Sequence, residues 1–422
     1  MQRILSSELP RHAGARVTIA GWIHRRRLLK QVAFLIVRDA SGLSQTVVAE
    51  PEQRAWLETL PEETVVAVEG TVTANPAAPG GVELTEPVVR LLGEPAQPTP
   101  FDLYRPVLSP TLPTQLDHAP LSLRHPSRAR ALRISAAAAA GFREGLDALG
   151  FTEIHTPKIV ATATESGANV FALDYFGRPA YLAQSPQFYK QQMVGVFERV
   201  YEVGPVFRAE PSDTTRHLAQ YTSLDAELGF VTDHRDVMAV LRETLAAMVA
   251  RVAPLAEGLT LPEVPAGIPA LHFSEALKIA GAPADEPDLA PAHERAIGEW
   301  AVREHGSEFV FVTGYPMAKR PFYTHPQPGD PRWSNSFDLL FRGLELVTGG
   351  QRLHRYSDYL AALAARGESA EPYEPYLQAF KHGMPPHGGF AIGLERFVAR
   401  ITGAQNIREV TAYPRDLHRV TP

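Results

Sequence analysis

The sequence contains no cysteine. Disulfide bonds, thiolate metal sites and cysteine nucleophiles are therefore excluded. Long apolar runs are also missing, and a run such as residues 136–140 is far shorter than the roughly 20 residues that cross a bilayer. The first residues show neither the basic nor the apolar part of a secretory signal. These absences together favour a cytoplasmic protein.

An excess of positive charge is missing as well, since the formal net charge is −6. Any binding of nucleic acid must then come from local basic patches. A hydrophobic content of 45% and a charged content of 21% are typical of a folded globular protein. With 422 residues the chain is too long for one simple core, so we expect two or three domains.

The first part of the chain is rich in short β-strand patterns. Five such runs lie between residues 16 and 93, separated by turn signals such as Ser41-Gly42. So many short strands in so little sequence predict a small closed barrel, for which the OB-fold is the commonest candidate. We place this domain at residues 1–95, followed by a proline-rich hinge or linker at 96–127.

The remainder, residues 128–422, mixes helical and strand patterns, which makes the whole chain an α+β protein. Apolar residues at helical spacing predict a helix over residues 127–150, ended by Gly150. A second amphipathic helix is expected over residues 236–254.

The predicted barrel carries a small nucleic-acid signature. Arg25 belongs to a basic turn close to Phe34, and Gln45 lies two strands further along. Cations that hold phosphate, an aromatic ring that stacks on a base and an amide that reads a base edge are what single-stranded recognition requires. The alternative is that Phe34 belongs to the core and the arginines are merely solvated.

A hairpin at residues 206–227 has one apolar face and one unusually polar face. Arg208 and Glu210 share a face of its first strand. The polar face of the second strand carries Tyr221, Ser223, Asp225 and Glu227. This arrangement predicts the floor of a site for a charged, partly aromatic ligand such as a nucleotide. The alternative is a surface hairpin crossed by ion pairs.

Two further groups of residues lie nearer the end of the chain. Asp338 and Glu345 fall on adjoining strand segments, and two hard oxygen ligands near a triphosphate suit Mg²⁺. Arg352 follows a glycine pair, and its planar fork suits a carboxylate. Arg396 lies in the first turn of a helix that follows a predicted strand, where it could cover an adenine ring or meet a terminal phosphate.

Several of these segments together resemble the class II aminoacyl-tRNA synthetases, and within them the archaeal-type aspartyl branch, including its non-discriminating aspartate–tRNA(Asp/Asn) ligases. Residues 150–157 look like motif 1, residues 207–210 with the returning strand look like motif 2, and residues 393–396 look like motif 3. The similarity to the aspartyl branch lies in residues 184–191, 349–354 and 413–422.

This resemblance implies an OB-fold that reads the anticodon, a catalytic antiparallel sheet flanked by helices, and a homodimer joined through motif 1. It also implies a ligase that consumes ATP, requires Mg²⁺ and acts on L-aspartate and tRNA. Catalysis would rest on Arg208, Arg396 and Glu210. The implied ATP site is Arg208, Glu210, His217, Tyr221, Glu345 and Arg396, with Asp338 and Glu345 as the Mg²⁺ ligands.

The resemblance implies the aspartate site as well. Its residues would be Glu165, Gln187, Lys190, Asp225, Thr348 and Arg352. Lys190 and Arg352 would clamp the side-chain carboxylate of the substrate. L-asparagine should be rejected because its amide would leave these two buried cations uncompensated.

Three alternatives stay open at this point. An asparaginyl-tRNA synthetase shares most motifs but should not need Lys190. A synthetase-like paralogue that makes asparagine would lack the barrel. A non-enzymatic RNA-binding protein would not need Arg208, Asp338, Glu345 and Arg396 together.

The choice of tRNA is predicted from the barrel, where His24, Arg25, Phe34 and Gln45 form the expected anticodon site. Strictly discriminating relatives often have tryptophan where His24 stands. A smaller histidine that can donate or accept a hydrogen bond should relax the choice between the two anticodons. We therefore expect aspartate to be attached to tRNA-Asp and also to tRNA-Asn, with an amidotransferase downstream. The alternative is that His24 packs structurally and discrimination lies elsewhere, for instance in the loop of residues 75–81.

Overall fold

A computed structural model describes residues 2–162, 169–211 and 213–422. The chain divides into two compact units, one ending at His125 and the other beginning at Pro126. Within the described residues, no helix combines the length and the apolar character that a membrane span requires.

The first unit is built on a closed five-stranded barrel in the order β1-β2-β3-β5-β4. Its strands are β1 (Arg16–Leu28), β2 (Ala33–Arg38), β3 (Leu43–Val48), β4 (Val65–Ala74) and β5 (Val82–Leu91). All neighbours are antiparallel except β3 and β5, which are parallel. Side chains of β2 alternate, with Leu35 and Val37 buried in the barrel and Phe34 half-exposed outside it. The predicted OB-fold barrel is confirmed.

Three helices accompany the barrel: α1 (Pro51–Glu58), α2 (Leu112–Asp117) and α3 (Ala119–Ser122). The last two lie in the proline-rich stretch, which is grouped with the barrel in the first compact unit. Short 3₁₀ turns occur in both units, at Ser6–His12, Pro79–Gly81, Ala253–Leu255, Met317–Lys319, Glu371–Tyr373, Gln378–His382 and Ile407–Val410.

The second unit is organised around an eight-stranded sheet in the order β12-β13-β16-β17-β18-β11-β10-β6. These strands are β6 (Thr152–Glu153), β10 (Arg199–Phe207), β11 (Gln220–Gly229), β12 (Ala270–His272), β13 (Phe309–Thr313), β16 (Ser336–Phe341), β17 (Leu344–Gln351) and β18 (His387–Gly393). The sheet is antiparallel except at its two edges, where β12 pairs parallel with β13 and β6 with β10.

Two small sheets complete the strands of this unit. They contain β7 (Ile159–Val160), β8 (Ala172–Tyr175), β9 (Arg178–Leu182), β14 (Pro326–Gln327) and β15 (Asp330–Ser334). The helices are α4 (Pro126–Ala148), α5 (Gln187–Phe197), α6 (His234–Val252), α7 (Phe273–Ala280), α8 (Pro291–His305), α9 (Tyr356–Ala365), α10 (Glu374–Leu377) and α11 (Leu394–Thr402).

The core of the second unit lies between the apolar face of the large sheet and helices α4 and α6. Leu224 and Ala226 of β11 pack in one buried cluster with Phe142 of α4 and Leu245 of α6. Because side chains alternate along a strand, the polar residues of β11 must point to the opposite face. The helices α4 and α6 confirm the two predicted helices to within two residues at each end, and the mixed helix and strand content confirms the α+β class.

Candidate active site

A pocket lies on the polar face of the large sheet, where β10, β11, β17 and the start of α11 meet. We call it the central pocket. It brings together all six residues expected at an ATP site together with Thr348: Arg208, Glu210, His217, Tyr221, Glu345, Thr348 and Arg396. The sequence pattern predicted Arg208 and Glu210 within the first strand of the hairpin. In the structure both residues lie just beyond the end of β10.

Two cations, Arg208 and Arg396, line this pocket. The Arg208 guanidinium lies 5.7 Å from the centre of the Tyr221 ring. Arg396 donates to the backbone oxygen of Glu345 at 3.1 Å and forms an ion pair with its carboxylate at 3.3 Å. Burial and the positive charge of Arg396 lower the pKa of His217, so this imidazole is neutral at pH 7.

Asp338 lies on β16 opposite Thr348 of β17, and Glu345 lies further along β17, opposite Leu340. Its side chain is buried and pairs with Arg320 at 3.1 Å. Burial and the neighbouring Glu345 raise the pKa of Asp338, against the opposing effect of Arg320. Two carboxylates that repel one another in this way form a hard-oxygen set that a divalent cation would neutralise. Within the described residues, no three His, Asp or Glu side chains form a metal-binding group.

A second group of charges is buried further along β11, beyond Tyr221 and Ser223. We call it the buried charge cluster. It consists of Lys190, Asp225, Glu227 and Arg352, with Gln187 beside them. Lys190 is only 1% exposed, and its ammonium lies 3.1 Å from Asp225 and 3.3 Å from Glu227. Arg352 pairs with Glu227 at 3.0 Å and reaches the side-chain oxygen of Gln187 at 3.5 Å.

These contacts correct one expectation about rejection of asparagine. The two cations, Lys190 and Arg352, are each paired with a carboxylate of the protein. They are therefore compensated even when no substrate is bound. Both carboxylates of this part of β11, Asp225 and Glu227, lie within ion-pair distance of Lys190. Burial alone would raise the pKa of Glu227, but Arg352 and Lys190 outweigh burial and lower it.

The cluster depends on a glycine in the neighbouring strand. A Cβ atom at Gly389 of β18 would lie 2.0 Å from a Glu227 carboxylate oxygen and 2.2 Å from the backbone oxygen of Ala226. Any other residue would therefore displace the Glu227 carboxylate. This explains the glycine at this position of β18, in the segment that precedes motif 3.

Buried amides support Gln187 from behind. Its side-chain nitrogen donates to the Gln191 side-chain oxygen at 2.9 Å, and the Gln191 nitrogen lies 2.9 Å from the Nε2 atom of His387. The Nδ1 atom of His387 lies 2.9 Å from the Pro385 oxygen. Burial lowers the pKa of His387 to about 4, so the ring is neutral, with Nδ1 donating and Nε2 accepting.

The remaining expected residue of the aspartate site, Glu165, lies outside the described residues. Thr348 is exposed in the central pocket and lies opposite Asp338 on the neighbouring strand. The structure thus brings Gln187, Lys190, Asp225 and Arg352 into one cluster, and places Thr348 in the central pocket instead.

On the barrel, one outer face carries the expected basic, aromatic and amide groups. Arg25 and Gln45 both lie opposite Ile36 on neighbouring strands. The Arg27 guanidinium lies 6.0 Å from the Phe34 ring centre. Arg25 also covers the ring of Tyr104 at 4.3 Å, and Gln45 donates to Glu83 at 2.8 Å.

His24 is placed differently. It lies at the irregularity of β1 between Ile23 and Arg25, and only 7% of its surface is exposed. Its Nδ1 atom is 3.2 Å from Arg38, which is bound by Glu63. Burial, and then Arg38, lower its pKa to about 4. His24 therefore packs against the Arg38–Glu63 pair, as the structural alternative for this residue predicts, and its role at the anticodon stays a prediction.

Sequence reasoning missed several residues that hold the site together. Glu395 accepts the backbone N–H of Thr222 at 3.0 Å, and Glu294 of α8 accepts the backbone N–H of Glu345 at 3.0 Å. Arg320 forms an ion pair with Asp338. The sequence shows Glu294 only as a glutamate within a helical pattern, and no pattern in the sequence connects α8 to the central pocket.

Comparison with known proteins agrees with this geometry. The family of class II tRNA synthetases (D, K and N) matches residues 111–417, and the OB-fold nucleic acid binding domain matches residues 17–92. The aspartate–tRNA(Asp/Asn) ligase of Deinococcus radiodurans is 44% identical, covering 100% of this chain and 99% of its own. That of Aeropyrum pernix is also 44% identical, over 97% of this chain and 96% of its own.

A solved structure has the same fold over the whole length. The asparaginyl-tRNA synthetase of Pyrococcus horikoshii, complexed with asparaginyl-adenylate, superimposes with a TM-score of 0.93 at 30% identity, covering 100% of both chains. Motifs, sheet order, pocket and matched families therefore agree: the chain belongs to the class II tRNA synthetases.

Proposed function

We propose that this protein is an aspartate–tRNA ligase. It activates L-aspartate with ATP to aspartyl-adenylate, and then transfers aspartate to the 3′ end of tRNA-Asp and also of tRNA-Asn. The observation that carries the proposal is on β11, where Tyr221 faces the central pocket and Asp225 and Glu227 hold Lys190 and Arg352. A nucleotide site and a site for a charged amino acid thus adjoin on one strand.

The central pocket is assigned to ATP. Tyr221 and Arg396 are the groups that would enclose the adenine, and Glu210 would hold its exocyclic edge. Arg208 would bind the α-phosphate and the attacking carboxylate, where negative charge develops during displacement of pyrophosphate. His217, whose pKa is lowered by burial and by Arg396, would approach the phosphates as a neutral hydrogen-bonding group. No protein nucleophile is required, because positioning and electrostatic stabilisation supply the catalysis.

Mg²⁺ would be held by Asp338 and Glu345 together with phosphate oxygens, since two carboxylates and a substrate are an ordinary Mg²⁺ ligand set. Bound there, the cation would neutralise triphosphate charge. The chain's own residues then orient the two carboxylates: Arg320 holds Asp338, and Arg396 holds Glu345.

The buried charge cluster is assigned to the amino acid. Because Lys190 and Asp225 are already paired, the substrate must exchange partners rather than fill a vacant charge. The substrate ammonium would take Asp225 and Gln187, and Lys190 with Arg352 would turn to the side-chain carboxylate. L-asparagine brings the ammonium without that carboxylate, so Lys190 would lose Asp225 and gain only a neutral amide.

Exchange of pyrophosphate into ATP, dependent on the added amino acid, tests this proposal. L-aspartate should support exchange and L-asparagine should support little. A second candidate, activation of L-asparagine, is favoured by the high structural similarity to the Pyrococcus horikoshii enzyme. Equal exchange with both amino acids, or faster exchange with asparagine, would reject the aspartate assignment in favour of this candidate.

The tRNA assignment rests on the barrel and on the relatives. Arg25, Phe34 and Gln45 offer a cation, a ring and an amide on one face, which suits unpaired anticodon bases. The names of the 44%-identical relatives support acceptance of both tRNAs. Aspartate attached to tRNA-Asn would then have to be amidated by a separate amidotransferase. Since charging serves translation, we place the protein in the cytoplasm.

We also propose a homodimer. It is suggested by the resemblance of residues 150–157 to motif 1, and supported by exposed apolar side chains nearby. Val196, Phe197 and Phe230 are 63%, 45% and 70% exposed, and the Gly229 N–H donates to the Glu198 oxygen, which brings these segments together. Light scattering during size-exclusion chromatography should give twice the chain mass, and the mass of one chain would contradict the dimer.

A further inference from the structure

Glu294 of α8 lies outside every motif, yet its carboxylate touches two separate parts of the central pocket. One oxygen lies 3.2 Å from the Arg216 guanidinium, in the loop that connects β10 and β11, and the other lies 3.4 Å from it. The same carboxylate accepts the backbone N–H of Glu345 on β17 at 3.0 Å. Glu294 is only 4% exposed, so these contacts are shielded from solvent.

The helix that carries Glu294 is held in a fixed register against the same strand. A Cβ atom at Gly298, one helical turn after Glu294, would lie 2.8 Å from the Cα atom of Gly343 in the β16–β17 turn. The helix and the turn are therefore in backbone contact. Such close packing leaves α8 little freedom to slide along β17, and the position of Glu294 relative to Glu345 follows from it.

Both partners of Glu294 belong to the pocket assigned to ATP. Arg216 and Glu345 each line it, on different elements. Arg216 comes from a loop, whose position depends on its contacts, whereas Glu345 comes from a central strand. A buried carboxylate that holds both fixes the phosphate-facing loop relative to the expected metal ligand.

We propose that Glu294 is a positioning residue for ATP: it couples the loop carrying Arg216 and His217 to the strand carrying Glu345. The inference rests on the proposed ATP site, not on the identity of the amino acid. Glu294 touches no reacting group itself. Its contribution depends on the ion pair with Arg216, which predicts that the effects of changing the two residues overlap.

A double-mutant cycle on ATP binding tests this coupling. Dissociation constants for ATP with Mg²⁺ are measured by calorimetry, without amino acid, for the wild type, Glu294→Gln, Arg216→Gln and the double variant. Each single change should weaken ATP binding by about tenfold. The double variant should bind about as weakly as Arg216→Gln alone, because both changes remove one interaction. Dissociation constants that multiply in the double variant would overturn the proposal.

A matched control separates positioning from stability. Glu308→Gln removes a glutamate–arginine pair of the same unit, with Arg342 at 2.6 Å, away from the central pocket. It should leave ATP binding unchanged. Glu294→Gln should also leave the KM for aspartate within about twofold in pyrophosphate exchange. Equal weakening of ATP and aspartate, with a lowered Tm, would identify Glu294 as merely structural and contradict the proposal.

The outcomes also distinguish this inference from the proposed function. If the wild type binds ATP but exchanges pyrophosphate with neither aspartate nor asparagine, the aspartate assignment fails while the binding cycle still measures the coupling. If the wild type does not bind ATP, both fail together.

Discussion

At the scale of single residues, the most consequential feature is the charge balance around Lys190. Two cations and two carboxylates meet with almost no exposure to solvent. Breaking a buried pair by removing one partner is costly, because the other charge is left uncompensated. The same four residues must therefore serve stability and amino-acid recognition together.

Two variants separate these contributions. Lys190→Met should lower the free energy of unfolding by about 3–5 kcal/mol, since it leaves an excess buried carboxylate. Adding Asp225→Asn should restore most of that stability, because it neutralises the carboxylate that loses its partner Lys190 and leaves the Arg352–Glu227 pair intact, yet aspartate-dependent exchange should stay lost. Urea unfolding and pyrophosphate exchange measure the two properties. Lys381→Met, at a half-exposed ion pair with Glu374, is the control and should change neither. Recovery of exchange in the double variant would contradict the role of Lys190 in recognition.

The neutral His387 predicts a dependence of stability on pH. Its pKa is about 4 in the folded protein against an ordinary value of 6.5, so the unfolded chain binds the proton first as pH falls. The stability is fully present above about pH 6.5 and is lost progressively as pH falls toward 4. At pH 5 the loss should be about 2 kcal/mol.

Urea unfolding at pH 7 and pH 5 measures this loss. In His387→Gln, which has no imidazole to protonate, the difference between the two pH values should shrink by the same amount. An unchanged difference would show that His387 does not titrate as its burial requires.

At the scale of elements, the loop between β10 and β11 is held from its far side by residues after α11. Arg408 pairs with Asp213 at 3.0 Å and with Asp416 at 2.6 Å, and donates to the backbone oxygen of Thr214 at 2.9 Å. The Ala219 N–H also donates to the Arg415 oxygen at 2.8 Å. This end of the chain thus forms part of the scaffold of the central pocket.

Arg408→Ala should loosen that loop without unfolding the unit. Hydrogen exchange of the backbone amides of residues 213–219 should become faster, and the KM for ATP should rise by about tenfold. Arg332→Ala, at an exposed pair with Asp330, is the control and should alter neither. Unchanged exchange in the Arg408 variant would show that other contacts suffice to hold the loop.

The elements that could be predicted are those whose pattern is local. Apolar spacing located α4 and α6, and alternation located β11 with its polar face. The contacts of Glu294 and Arg408 could not be predicted, because they join residues 51 and 195 positions apart in sequence. The sequence also identified Lys190 and Asp225 as site residues. It could not show that these two residues form an ion pair with each other.

At the scale of the whole molecule, the two compact units separate two recognition tasks. The barrel carries Arg25, Phe34 and Gln45, whereas the central pocket lies wholly in the second unit. The sequence was sufficient to predict both folds, because the barrel and the motifs are each recognisable alone. It was not sufficient for His24, whose burial beside Arg38 depends on an irregularity within β1.

This separation predicts that a change on the barrel affects tRNA and leaves amino-acid activation intact. Phe34→Ala should raise the KM for tRNA by roughly 5- to 100-fold, the effect of losing one base stack, with pyrophosphate exchange unchanged. Val88→Ala, at an exposed apolar position of β5, is the matched control and should change neither the KM for tRNA nor the rate of pyrophosphate exchange. Normal charging of tRNA by the Phe34 variant would show that this ring does not bind the anticodon.

Charging of purified transcripts measures whether this one protein attaches aspartate to two tRNAs. Initial rates with labelled L-aspartate are compared on tRNA-Asp and tRNA-Asn under the same conditions. Both transcripts should be charged, with kcat/KM values within about a hundredfold, because the anticodons differ at one base. A value for tRNA-Asn lower by about three orders of magnitude would contradict the relaxed choice of tRNA, and charging of neither transcript with aspartate would contradict the assignment as a whole.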